Sequence, residues 1–214
     1  MREEIQKVID HVGRVIIGRE EVTAKLLAAI LADGHVLLED VPGTGKTKLA
    51  RSLAASLGIR MGRIQFTPDM LPADITGLHV YSQESGQFEL KKGPVFTNIL
   101  LADEINRATP RTQAGLLECM EERQVTIDGE TMELERPFFV IATQNPVETA
   151  GTFPLPEAQT DRFMMKLSMG MPDREEEISI LQTYAQGDPL EELQAVMTKE
   201  ELLSLKEEAA KVYV

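Results

Sequence analysis

Lys46 and Thr47 close the run Asp40-Val41-Pro42-Gly43-Thr44-Gly45-Lys46-Thr47, and Asp103 and Glu104 close an apolar run, Ile99-Leu100-Leu101-Ala102. An ammonium, a hydroxyl and two carboxylates in such settings are the groups that hold a magnesium-complexed polyphosphate and turn water against it. Gly43 and Gly45 permit backbone conformations closed to other residues, so successive N–H groups can face phosphate oxygens while a helix N-terminus adds its partial positive charge. Lys46 supplies a point charge to the β and γ phosphates, and Thr47 a hydroxyl to magnesium. Pro42, Thr44 and Lys48 complete the expected cofactor-binding loop. Asp103 would hold the metal through its water shell, and Glu104 would orient and polarise the attacking water. One residue departs from the usual pattern: Asp40 stands where a glycine opens such loops, and Asp tolerates turns better than most residues.

Two further polar groups fit the same chemistry. Asn145, after Phe138-Phe139-Val140-Ile141-Ala142-Thr143-Gln144, has a donor and an acceptor for a γ-phosphate and a water, although an Asn-Pro turn explains it equally well when taken alone. Arg162 stands beside Asp161 on a short helical stretch. A guanidinium suits a phosphoryl transition state, and from a neighbouring subunit it would make hydrolysis depend on assembly; the plain alternative is a surface ion pair.

The elements that must position these residues are legible from periodicity. Apolar runs at 35–39, 63–66, 99–103, 138–142 and 166–169 read as strands, mostly separated by helical patterns. Alternating strands and helices imply an α/β fold: a parallel sheet of five strands covered by helices on both faces, with ligand at the strands' carboxyl ends. Two stretches, 77–81 with 87–90 and 124–127 with 131–134, alternate around Ser85-Gly86 and Asp128-Gly129. They read as inserted β-hairpins, with loop excursions as the alternative. Asp173 with Glu176 and Thr198 with Glu201 have capping-box spacing, so the α/β core is expected over 1–171 and a helical domain begins over 172–214.

Composition narrows the class. With 22 Lys plus Arg against 35 Asp plus Glu, a net charge of −13 argues against a broad nucleic-acid surface. No run approaches the roughly 20 apolar residues of a membrane span, and the acidic, amphipathic N-terminus is unlike a signal peptide, so the expected compartment is the cytoplasm. The single cysteine, Cys119, lies in a helical pattern and reads as a core thiol. His11, His35 and His79 have no ligand spacing, so no structural zinc is expected.

Together, 37–47, Asp103-Glu104-Ile105-Asn106-Arg107-Ala108, Thr143-Gln144-Asn145-Pro146 and 155–163 resemble the MoxR-type AAA+ ATPases, and the resemblance spans nearly the whole chain. It implies a P-loop NTPase fold in which Lys46 and Thr47 are Walker A residues, Asp103 and Glu104 the Walker B pair, Asn145 sensor 1 and Arg162 the arginine finger. It places Ile17 and Gly18 against adenine, makes Asp40 the family's own variant, and turns the hairpins into pore-facing inserts of a ring. Implied with it are ATP or ADP, Mg2+, self-association into a hexamer, a protein substrate and a von Willebrand factor A domain partner for a chaperone-like remodelling or maturation ATPase. Gln65 or Thr67 is expected to restrain Glu104. The resemblance also implies a helical lid with a second sensor arginine, and no arginine follows Arg174, so the chain reads as C-terminally truncated with weak hydrolysis of its own. The alternatives are the ATPase subunit of a magnesium-chelatase-type complex, a nucleic-acid motor related to replicative helicases, and a nucleotide-gated module that does not turn over.

Overall fold

The computed structural model describes residues 2–147 and 150–212. In chain order the elements are α1 (Arg2–Gly13), α2 (Glu20–Leu31), β1 (Val36–Glu39), α3 (Lys46–Ser56), β2 (Met61–Gln65), α4 (Pro72–Thr76), β3 (Gly77–Ser82) and β4 (Gln87–Lys92). There follow β5 (Ile99–Asp103), a 3-10 turn (Ile105–Arg107), α5 (Pro110–Glu122), β6 (Gln124–Ile127), β7 (Glu130–Glu133), β8 (Phe139–Gln144), α6 (Glu157–Thr160), β9 (Met165–Leu167), α7 (Arg174–Tyr184) and α8 (Lys199–Ala209).

Five strands form the expected parallel sheet in the order β2-β5-β8-β1-β9. The pleat sends alternate residues to opposite faces, and both faces are apolar because helices cover both. Val36, Leu38, Ile99, Leu101, Phe139 and Ile141 pack with residues of α1, α2 and α3. Leu37, Leu100, Ala102, Val140 and Ala142 pack on the other face with Leu116, Leu117 and Met120 of α5. This explains why the strands read as continuous apolar runs. From β1 the chain goes to the β2 edge, returns through β5 and β8, and then places β9 on the far side of β1. That reversal opens a crevice at the carboxyl ends of β1, β5 and β8.

Both expected hairpins form. β3 pairs with β4 from Gly77↔Lys92 to Ser82↔Gln87, and β6 pairs with β7 around Asp128 and Gly129. The latter residues have φ of 50° and 87°, the two left-handed positions of a type I′ turn. His79 of β3 lies 2.7 Å from an Asp128 carboxylate oxygen, so the hairpins touch.

After residue 171, both capping boxes form at the heads of α7 and α8. α7 has no buried residue, whereas Leu190, Met197, Leu202 and Leu205 join the buried cluster of α1–α3. The N–H groups of Val196 and Met197 both reach Ser56 O. Leu202→Ala, at a site 1% exposed, should cost about 2–5 kcal/mol, read from urea unfolding. None of the helices among the described residues is long and apolar enough to cross a membrane.

Two titratable side chains are committed to packing. Burial pushes the Cys119 thiol up to about 12, leaving an inert core group. Burial, helped by the Arg123 charge, moves His35 from 6.5 down to about 4. Its ring meets Met120 O at 3.1 Å and the Val140 N–H at 3.0 Å, one donor and one acceptor of a neutral imidazole. Below pH 6.5 the unfolded chain takes up a proton that the folded ring refuses, so this stability is whole above 6.5 and drains as pH falls toward 4. Between about pH 7 and about pH 5 the loss should be about 2 kcal/mol. Denaturation midpoints measured at both pH values, with His35→Gln flattening the difference, check it.

Candidate active site

The phosphate-loop candidate leaves the carboxyl end of β1 and enters α3 through Gly45, whose φ of 87° lies in the left-handed region. A side chain at Gly43 or Gly45 would meet no atom within 4 Å, so their backbone faces open space beside Lys46. The Lys46 ammonium folds onto the loop's own carbonyls, 3.0 Å from Asp40 O and 3.4 Å from Val41 O. Pro42, Gly43, Thr44, Gly45, Lys46, Thr47 and Lys48 line a cavity of about 500 Å³ that also takes in Arg63, Gln65, Asp103, Glu104 and Asn145.

The acidic wall of that cavity is held by hydrogen bonds. Asp103, at the end of β5, is 9% exposed. Its Oδ1 accepts from Thr143 Oγ1 at 2.6 Å and its Oδ2 from Arg63 at 2.8 Å. The same Thr143 oxygen accepts from the Glu104 N–H at 2.9 Å, so one β8 hydroxyl fixes both acids. Glu104 has φ of 57°, a left-handed conformation uncommon outside glycine, which turns its side chain away from the strand's alternation. Its Oε2 accepts from Gln65 Nε2 at 2.9 Å and pairs with Arg107 Nε at 2.8 Å. Asn145, one residue past β8, lines the cavity and accepts the Val147 N–H on its Oδ1 at 3.1 Å.

A second cavity, of about 420 Å³, adjoins the first across Gly43, Thr44, Gly45 and Lys48. Its remaining wall is largely apolar: Val15, Ile16, Ile17, Met169, Met171, Ile180 and Tyr184. That shape and polarity suit a nucleobase beside a phosphate site. Arg19 pairs with Glu176 of α7 at 2.9 Å, and Lys48 reaches Asp188 at 3.2 Å and the Tyr184 ring at 3.8 Å, so α7 is tied across the opening. Gly18 packs where a side chain would overlap the Glu176 carboxylate at 1.9 Å.

Comparison with known proteins agrees with this geometry. Residues 35–165 match the ATPase family associated with various cellular activities (AAA). The chain is 44% identical over 210 residues to chaperone MoxR1 of Mycobacterium tuberculosis, covering 98% of this chain and 55% of that protein. The chain belongs to the MoxR-type AAA+ ATPases. Similarity extends to the uncharacterized protein YeaC of Bacillus subtilis, 53% identical over 206 residues, covering 96% of this chain and 64% of the relative. A crystal structure of a candidate ATPase from Cytophaga hutchinsonii superposes with a TM-score of 0.91 at 47% identity, over 99% of this chain and 64% of that one. The chain thus spans between about half and two thirds of the length of these relatives.

Lys46, Thr47, Asp103, Glu104 and Asn145 line one cavity. Lys48 borders both cavities, Ile17 lines the second, and Gly18 backs it by packing on α7. Arg162 stands apart: it lines neither cavity and pairs with Glu121 of α5 at 2.9 Å. Gln65 reaches Glu104, whereas Thr67 acts on Asp69, whose carboxyl it helps hold below the ordinary value. Periodicity and motif spacing miss three residues, Arg63, Arg107 and Thr143. Arg63 and Thr143 are ordinary strand residues by type, and only the β2-β5-β8 register places them beside Asp103.

Proposed function

We propose that this chain is the ATP-binding and ATP-hydrolysing core of a chaperone-like remodelling or maturation ATPase. The observation that carries the reading is the meeting of Lys46, Thr47, Asp103, Glu104 and Asn145 at one cavity, next to a largely apolar one. ATP lies across both, its triphosphate along the N–H groups of 43–47 and its base against Ile17, Met169 and Tyr184. Lys46 leaves its carbonyl partners for the β and γ phosphates. Asn145 orients the γ-phosphate, and Glu104 takes the proton of the attacking water. The hard oxygen donors of Thr47 and Asp103 at that cavity fit Mg2+, Asp103 acting through water. The ion would supply charge neutralisation at the β and γ oxygens.

Gln65 and Arg107 occupy the Glu104 carboxylate, which supports Gln65 as a restraint on basal turnover. Gln65→Ala should raise basal ATP hydrolysis by about threefold to tenfold, the loss of roughly one hydrogen bond. An unchanged basal rate in steady-state phosphate release would sink that role. Lys46→Ala should weaken ATP binding by about a hundredfold, measured by titration with a fluorescent ATP analogue. Equal affinity in that variant would refute the site itself.

The chaperone name of one relative supports the chaperone-like role; a hexameric ring, a protein substrate, a von Willebrand factor A domain partner and a cytoplasmic location rest on the family resemblance. The division into a core over 1–171 and the start of a lid over 172–214 is part of the same proposal. The position of α7 beside the base cavity supports it, and the packing of α8 on α2 anchors the second segment.

A further inference from the structure

Asp40 is 6% exposed, and each polar atom it carries is engaged. Its Oδ1 accepts from Ser168 Oγ at 2.7 Å and from the Gly170 N–H at 3.2 Å, and its Oδ2 accepts from the Met169 N–H at 2.7 Å. Its own N–H donates to Gln144 O at 3.3 Å, and its carbonyl accepts from Lys46 Nζ at 3.0 Å. The first residue of the phosphate loop is therefore bonded to the end of β8 just before Asn145, to the exit of β9, and to the lysine of the loop itself. Met169 and Gly170 line the base cavity, while Gly43 to Lys48 line the phosphate cavity. Asp40 lines neither.

A glycine at this place would make the turn but offer no carboxylate to the 168–170 segment. Turn tolerance alone therefore does not account for Asp40. A buried carboxylate beside a polyphosphate site is electrostatically adverse, and here three neutral donors satisfy its two oxygens while Lys46 bonds the residue's carbonyl instead. We propose that Asp40 is a positioning residue that fixes the base-cavity wall at a set distance from the phosphate loop, so that one ligand can fill both cavities together. The proposal rests on the nucleotide-site reading above. It concerns a ligand that spans the two cavities, and it predicts little for a ligand confined to the phosphates.

The full-length protein tests this with two ligands in the presence of magnesium: ATP, and inorganic tripolyphosphate, which has the phosphates without the base. Each displaces a fluorescent ATP analogue whose own affinity is measured for every variant. Asp40→Gly and Asp40→Asn should weaken ATP by about tenfold, the scale of one charge-assisted hydrogen bond, and tripolyphosphate by less than about twofold. Ser168→Ala, which removes one donor and spares the carboxylate, should weaken ATP alone by about threefold. Should Asp40→Gly fail to fold, Ser168→Ala decides the matter. Parallel losses for both ligands would make Asp40 a general support of the loop, and tighter binding of both by Asp40→Asn would make charge repulsion its main effect. Either result overturns the proposal, as does unchanged ATP affinity in all three variants. Failure of the nucleotide-site reading looks different: wild-type protein binds neither ligand, or Lys46→Ala binds both as wild type does, and the Asp40 proposal falls with it.

Discussion

Glu104→Gln stops ATP turnover while ATP still binds. Glutamine fills the same volume and keeps an oxygen that can accept from Gln65 and Arg107, which lie 2.9 Å and 2.8 Å from the Glu104 carboxylate. The left-handed backbone at 104 is held by the main-chain N–H on Thr143, a bond that does not depend on the side chain. What the substitution removes is the ability to take a proton from water. A positioned carboxylate base contributes on the order of 10²–10⁴-fold, so kcat should fall by about a thousandfold with the ATP Kd unchanged within about twofold. Single-turnover hydrolysis and equilibrium titration measure the two quantities separately. A loss of affinity as large as the loss of rate would mean that residue 104 shapes the cavity rather than activating water.

The parts of this site that follow chain order are legible in the amino-acid sequence. Glycines, lysine and threonine lie next to one another in the loop, and Asp103 with Glu104 ends an apolar run, so adjacency alone assembles them. The sheet is legible for a related reason: strands buried on both faces show as uninterrupted apolar runs, and Ile99–Asp103 is buried throughout. The restraints on those residues are not legible, because they are set by register between strands far apart in the chain. Thr143 is an unremarkable polar residue until β8 lies against β5, when its hydroxyl reaches the Asp103 carboxylate and the Glu104 N–H. Asp40 is similar. By residue type it departs from the loop pattern, and only the β1–β9 pairing shows the partners its carboxylate serves. The packing of Leu202 and Leu205 is equally hidden, since helical periodicity identifies an apolar face without naming what it covers.

Arg162→Ala should reduce turnover by about a thousandfold, within the range an arginine finger contributes, and leave ATP affinity within about twofold. Arg162 lines neither cavity of its own chain, so a direct effect on hydrolysis requires that it reach the site of another copy. Its present partner does not forbid this: the Glu121 pair is 2.9 Å long, but the two side chains are 38% and 57% exposed, and such surface pairs contribute little. Stability should therefore hardly change, which separates this loss from unfolding. Complementation tests the proposed trans role directly in full-length protein. Glu104→Gln subunits carry an intact Arg162 but no base, and Arg162→Ala subunits carry an intact base but no finger. Each alone is inactive, whereas a mixture places an intact finger from the first beside an intact base in the second, so activity should return to a substantial fraction of wild type. If mixing restores nothing while the subunits demonstrably co-assemble, or if Arg162→Ala weakens ATP binding as much as it slows turnover, Arg162 acts within its own chain. Glu121→Ala is the control for the surface pair: it releases Arg162 without removing it, and hydrolysis should stay at or above the wild-type rate.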